Sequence, residues 1–410
     1  MNLVTVNVDS IRIGQPIPFS LWDSAGILIA PRGFVIRSQA DLDQVLVERE
    51  QLFMDVTESE NYRRAYIGKL RTMVTDDFAL GEIAESQFSA LELENTRAAP
   101  LSDKPDWLDL QAQTHAMLRD VNSESFCPRL DKLQRQLNQH ARSNPDGTLF
   151  ALMYLSSNEL RMYSATHAML VSVMCSIAAR EVLKWPAELE TSLCKAALTM
   201  NVGMTELQDR LAAQKEAPNA DQLRQIEQHA GRGLTLLRQR GVTDPLWLEA
   251  VVDHHTKTPG PLGARSEAQR MARLIQRADM FAARLSPRAT RLADSPASAM
   301  QAIYFNEERQ VDEAGAALIK ATGIFSPGSF VRLATDEIAA VIKRGANTTT
   351  PRVAVLINRS GMPTGELIVR DTSRPEFRIV GGVQHRDVKV QINLERLLAL
   401  TKSLASDRPW

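Results

Sequence analysis

The chain has 410 residues, of which 44% are apolar and 24% charged, with a net charge of -1 and a pI near 6.7. That length exceeds what one hydrophobic core usually holds, so two or three domains of ordinary globular composition are expected. The near-neutral balance excludes a basic field that could hold a nucleic-acid polymer by counterion release.

The N-terminal MNLVTVNVDS has no basic or apolar region of the signal-peptide kind, so no secretory leader is expected. Residues 1–58 read as a β-rich unit. VTVNV alternates, and LWDSAGILIAPRGFVI sets a Ser-Ala-Gly turn between two apolar runs, as a hairpin would. A short helix is expected from Gln39. Residues 59–145 are polar and helical in pattern, interrupted at NTRAAPLSDKPDW, and read as a helical linker region. Residues 146–322 are strongly helical. Within them Ala168 to Ala179 is the most apolar stretch, too short to span a bilayer and suited to a buried core helix. From Gly323 the period changes: SFVRL, EIAAVIKR, RVAVLIN and GELIVRD are short strand-like runs, and a closing helix is expected at Leu394 to Ser403. The fold class is therefore mainly α, with small β-rich segments at 1–58 and 323–410. Three widely spaced cysteines, Cys127, Cys175 and Cys194, fit a reducing cytoplasm better than a disulfide framework.

The helical part concentrates chemistry on apolar faces. On a helix over Ser157 to Val182, His167 shares a face with Leu160, Tyr163, Leu170, Val171 and Met174. A second helix runs from an Asn219/Gln222 capping box to a stop at Gly241, with Leu223, Ile226, Ala230, Leu234 and Leu237 as its stripe. His229 lies beside that stripe, and Gly233 one turn on leaves room for another backbone or a ligand. Asp244-Pro245 opens a third helix that ends at His254-His255. In a fourth, Ala268, Met271, Ala272, Ile275 and Ala282 line one face and Asp279 joins them. A single histidine on an apolar face is usually a hydrogen-bonded core residue, and a His-His pair at a helix end is often a polar cap. A carboxylate there needs a cation or several donors, for which Arg277 and Arg288 are candidates. Four helices each bringing an imidazole or carboxylate inward is nevertheless how helical bundles build metal sites.

The order of these residues resembles the HD-GYP family of bacterial signalling phosphohydrolases, an all-helical HD-type fold, over about residues 146–370. THAMLVSVM supplies His167; HAGRG supplies His229 with Gly233; DHHTKTPG supplies His254 and His255; RADMFAARLSPR supplies Asp279 and Arg288. The resemblance implies residual metal ligands at His167, His229, His254, His255 and Asp279, with Arg288 beside them. It departs from the family where the chemistry lies. Met200-Asn201 replaces the H-D pair, whose carboxylate bridges metals in the family, and Met204 replaces the motif lysine. Thr256 and Pro259 replace the acids after the paired histidines, and the G-Y-P triplet is absent. Asn201 binds divalent metals poorly, and the Met200 thioether suits only soft ions.

The implied function is that of a cytoplasmic signalling protein with an impaired HD-GYP-like domain, binding a cyclic dinucleotide or a protein partner. It would carry one divalent transition metal, Fe or Mn, or none, with homodimerisation left open. The alternative is a metal-dependent phosphodiesterase that hydrolyses cyclic di-GMP or a related nucleotide.

Overall fold

The computed structural model describes residues 105–158, 162–257, 260–390 and 392–403, together with short pieces of the first 55 residues. The chain divides into two compact units, Met1–Lys104 and Pro105–Trp410.

In the first unit, β1 (Leu3–Thr5), β2 (Leu21–Trp22), β3 (Leu28–Ala30) and β4 (Phe53–Asp55) form an antiparallel sheet in the order β1-β4-β2-β3. Leu21 faces Ala30 across the ladder, so the two apolar runs around the Ser-Ala-Gly turn do pair. The turn itself, the helix expected from Gln39 and residues 59–104 lie outside the described residues.

The second unit contains the helices α1 (Trp107–Arg119), α2 (Phe126–Ser143), α3 (Pro145–Asn158), α4 (Tyr163–Ile177), α5 (Ala187–Thr199), α6 (Thr205–Ala213), α7 (Ala220–Gln239), α8 (Pro245–Asp253), α9 (Glu267–Leu285), α10 (Pro296–Tyr304), α11 (Glu313–Thr322) and α12 (Leu394–Ser403). The second half of the expected linker region is thus helical: α1 and α2 pack on α4 and place Trp107, Leu110, Phe126 and Leu130 in the main core.

Helix α4 is the axis. Every residue from Tyr163 to Ile177 is buried, because α1, α2, α3, α5, α6, α9 and α11 surround it, and an all-round apolar helix has no other stable place. Truncating one of its large residues, such as Leu170, removes about 2–5 kcal/mol. The continuous helix expected over Ser157 to Val182 is broken. Helix α3 ends at Asn158, Leu160 lies outside the described residues, and Met162 enters α4 at φ 54°. The C-terminal end of α4 widens into a π-turn over Ala178–Val182.

Local signals set the boundaries of the site-bearing helices. Asn219 and Gln222 form the reciprocal capping box of α7, and Gly241 ends it at φ 80°. Asp244 accepts from the amides of Leu246 and Trp247 to start α8, with Pro245 in its first turn. Ser266 and Gln269 form a second capping box at α9. The buried face of α7 differs from the apolar stripe: it runs through His229, Gly233 and Leu237, whereas Leu223 is 49% exposed. The reason is close helix packing. Gly233 lies against the short 3-10 turn Val202–Met204 that follows α5, where Gly203 has no side chain to hold the turn away from α7.

The C-terminal strands β5 (Phe330–Leu333), β6 (Ile338–Lys343), β7 (Arg352–Ile357), β8 (Pro363–Asp371) and β9 (Ile379–Val383) form an antiparallel sheet in the order β8-β7-β6-β5-β9. Four of them match the strand-like runs; β9 was not expected, because Gly381-Gly382 hides its pattern. Alternate residues serve the two faces. Phe330, Ala340, Ile342, Ala354 and Leu356 pack with Phe150 of α3 and Leu397 of α12, while Val331, Ala339, Val341, Val353 and Val355 form the other side. Arg344, just after β6, is largely buried and bonds Asp146 of α3 (Nε–Oδ1 2.7 Å) and Glu181 of the π-turn (Nη1–Oε2 2.9 Å). No helix among the described residues is long and apolar enough to cross a membrane.

Candidate metal centre

Helices α4, α7, α8 and α9 bring the singled-out polar residues together in two adjoining groups. The first is a cluster of three imidazoles. His229 is buried on α7, His254 caps the C-terminus of α8 and is fully buried, and His255 follows it, exposed. One ligand nitrogen from each ring lies within 4.8 Å of the others.

The tautomers follow from the backbone. His229 Nδ1 contacts the Ile226 carbonyl, and His254 Nδ1 lies 2.7 Å from the Val251 carbonyl. A carbonyl only accepts, so each Nδ1 carries the proton. Burial, aided by the charge of His255, holds the His254 pKa down to about 3, and burial also lowers that of His229. Both rings are therefore neutral near pH 7, each with a bare lone pair on Nε2. These two Nε2 atoms face each other at 3.2 Å. Two lone pairs so placed repel unless a cation lies between them. Two metal–nitrogen bonds of about 2.0–2.1 Å at a tetrahedral angle set the nitrogens roughly 3.4 Å apart. The three histidines therefore fit one transition ion, and the carbonyl-bonded Nδ1 atoms are the outer contacts that orient such ligands.

The second group is a direct pair. His167 Nε2 lies 2.6 Å from Asp279 Oδ1. Burial alone would raise the Asp279 pKa, but the His167 hydrogen bond and the charges of His167, His254 and His255 outweigh it and hold the carboxyl at about 2. His167 stacks on Tyr163 with ring centroids 5.6 Å apart, and its Nδ1 is buried with no hydrogen-bond partner among the described residues. The arginines expected to pair with Asp279 do not. Arg277 turns to Glu307 (3.3 Å) and Asp312 (3.1 Å), and Arg288 reaches the Tyr163 hydroxyl at 3.3 Å. A histidine one helix away is a nearer partner than either.

The positions that depart from the family pattern have ordinary structural roles. Met200 is 1% exposed and belongs to the main apolar core. Asn201 is half-buried, and its carbonyl accepts from the Met204 amide. Met204 precedes α6 as an N-cap with no side-chain hydrogen bond. Thr256 is exposed and its hydroxyl bonds Asp253, capping the end of α8. Pro259 lies outside the described residues.

Two features of the site were not anticipated. One is the pair of carbonyls, Ile226 and Val251, each three residues before its histidine; that spacing is readable, but the tautomer it fixes is not. The other is Gly203. A Cβ there would lie 2.2 Å from the His229 carbonyl oxygen and 2.8 Å from the Gly233 nitrogen. At Gly233 a Cβ would make only ordinary contacts of 3.5 Å and longer, so the residue whose missing side chain permits the close approach is Gly203.

No protein-family profile matches the chain. Over 292 residues it is 23% identical to a cyclic di-GMP phosphodiesterase of Pseudomonas aeruginosa, a match covering 68% of this chain and 67% of that protein. Among solved structures it is similar to a HDG"Y"P protein from Bdellovibrio bacteriovorus, with a TM-score of 0.42 and 14% identity over 77% of this chain and 98% of that one.

Proposed function

From the relationship of this chain to the HD-GYP proteins, we propose that it is a signalling protein whose HD-GYP-like domain keeps a one-ion site and has lost efficient phosphodiester hydrolysis. It acts by binding a cyclic dinucleotide or a protein partner, in a reducing cytoplasm that suits its three free cysteines. The observation that carries this reading is the state of the second group. His167 and Asp279 bond each other directly, and Met200, where the family has its H-D pair, is packed into the apolar core.

A divalent transition ion held by His229, His254 and His255 would supply a Lewis acid with an open position for a phosphate oxygen. The chain's own groups hold that position without completing a reaction site. His229 and His254 present Nε2 lone pairs, fixed by the Ile226 and Val251 carbonyls. Asp279 is an anion engaged by His167, and Asn201 stands where the family has its bridging carboxylate. Met204 brings no charge to a phosphate. A two-ion site stabilises both ends of an in-line displacement, whereas a one-ion site stabilises one.

The intact three-histidine cluster favours a second reading, a slow metal-dependent phosphodiesterase acting on cyclic di-GMP or a related nucleotide. Metal analysis of the purified protein, with hydrolysis of cyclic di-GMP in added Mn or Fe(II), separates the two. We expect about one ion per chain, lost in a His254→Ala, His255→Ala control, and turnover no faster than that control. Robust turnover that vanishes in the control would make the protein an enzyme.

A further inference from the structure

A cleft of about 270 Å³, with no histidine in its lining, lies between the end of α1, the Val202–Met204 turn, the first turn of α6 and α7. Three arginines from three elements line it: Arg119 of α1, Arg210 of α6 and Arg232 of α7. One carboxylate on its wall, Glu206, engages Arg119 at 3.1 Å. Among the described residues, the guanidinium groups of Arg210 and Arg232 have no ion pair or hydrogen bond. The nearby Asp209 cannot compensate them, because its oxygens accept from the Ser164 amide (2.8 Å) and hydroxyl (3.1 Å) and face His115 (3.6 Å). The cleft therefore keeps two unpaired cations. The first turn of the nine-residue α6 lines it as well, and Met204 at its N-cap makes no side-chain capping hydrogen bond.

We propose that this cleft binds a phosphoryl oxyanion, either free phosphate or the phosphate of a nucleoside monophosphate. Arginine forks match phosphate oxygens in geometry as well as charge. The volume falls below the roughly 300–1,000 Å³ that encloses a drug-sized ligand, so one phosphoryl group fits inside while a nucleoside stays outside. The inference uses none of the histidines and stands whether or not the metal centre binds an ion.

The test is calorimetric titration of the full chain, in chelator, with inorganic phosphate, AMP and adenosine. Working in chelator separates this site from the metal centre. Phosphate and AMP should both bind if the phosphoryl group is the whole determinant, and AMP alone if the ligand is a nucleotide; adenosine should not bind. The Arg210→Ala, Arg232→Ala variant should bind about ten- to hundredfold more weakly, as the loss of charge-assisted hydrogen bonds predicts. Both side chains are exposed, so its melting temperature should stay that of the native chain. Raising salt should weaken binding to the native chain. Absence of binding by both phosphate and AMP would overturn the proposal. So would adenosine binding as tightly as AMP, or an affinity unchanged in the double variant.

Discussion

Gly203→Ala is expected to damage the imidazole cluster from a residue that is not part of it. The new Cβ would stand 2.2 Å from the His229 carbonyl oxygen and 2.8 Å from the Gly233 nitrogen, both backbone atoms with no rotamer to move. An ordinary contact needs about 3.4 Å, so the Val202–Met204 turn and α7 must separate by roughly 1 Å. Overpacking of this kind costs about 1–3 kcal/mol, and more where backbone is displaced. The same shift carries the His229 ring from its 3.2 Å opposition to His254, a distance set for one shared ion. Two neighbours on α7 serve as controls. At Gly233 an added Cβ meets Val202 at 3.5 Å and Val251 at 3.6 Å, so Gly233→Ala should be tolerated. At Gly231 nothing lies within 4 Å, so Gly231→Ala should stabilise by up to about 1 kcal/mol through helix propensity. Thermal melting with Co(II) titration of each variant measures both effects. If Gly203→Ala melted and bound metal like the native chain, the close approach of turn and helix would be wrong.

Three further outcomes are expected. The folded His254 pKa of about 3 lies below the ordinary 6.5, so the unfolded chain takes up a proton that the folded chain refuses as pH falls. In chelator, the urea midpoint should therefore drop as pH falls from about 6.5 toward 3, and His254→Ala should flatten that slope; a flat native profile would contradict the burial. Asp279, held at about 2, adds stability that is complete above its unfolded value near 3.9 and lost below it. Asp279→Asn should therefore show a shallower acid limb in the same titration. Finally, Met200→His with Asn201→Asp puts polar groups where Met200 is 1% exposed, so it should lower the metal-free melting temperature by several degrees, a loss that added Mn reverses only if the pair recruits an ion.

Much of this could be read from residue patterns, and the exceptions share a cause. Helix starts at Asn219 and Asp244, the stops at Gly241 and Gly323, and the closing helix at Leu394 are local signals, so they are legible one segment at a time. His229, His254 and His255 were legible as a set because each interrupts or ends an apolar face. Nonlocal facts were not. The partner of Asp279 is a histidine 112 positions away, chosen over two arginines nearer in sequence: Arg277, which Glu307 and Asp312 claim, and Arg288, which reaches the Tyr163 hydroxyl. The buried face of α7 follows its glycine contact with the 203 turn instead of its leucines. Strand β9 owes its place to the partner β5, since two of its five residues are glycine.

Arg344 has a practical bearing on how the protein is divided for expression. The change of period at Gly323 marks the tempting place to end a shorter clone. A product ending there would lose the guanidinium that neutralises buried Asp146, and would uncover Phe150, which the sheet now hides. Gly328, at φ 91°, already packs against the Phe150 backbone, so the entry to the sheet is moulded on α3. The segment that reads as a tail is one wall of the helical unit, and the workable cut lies ahead of Pro105.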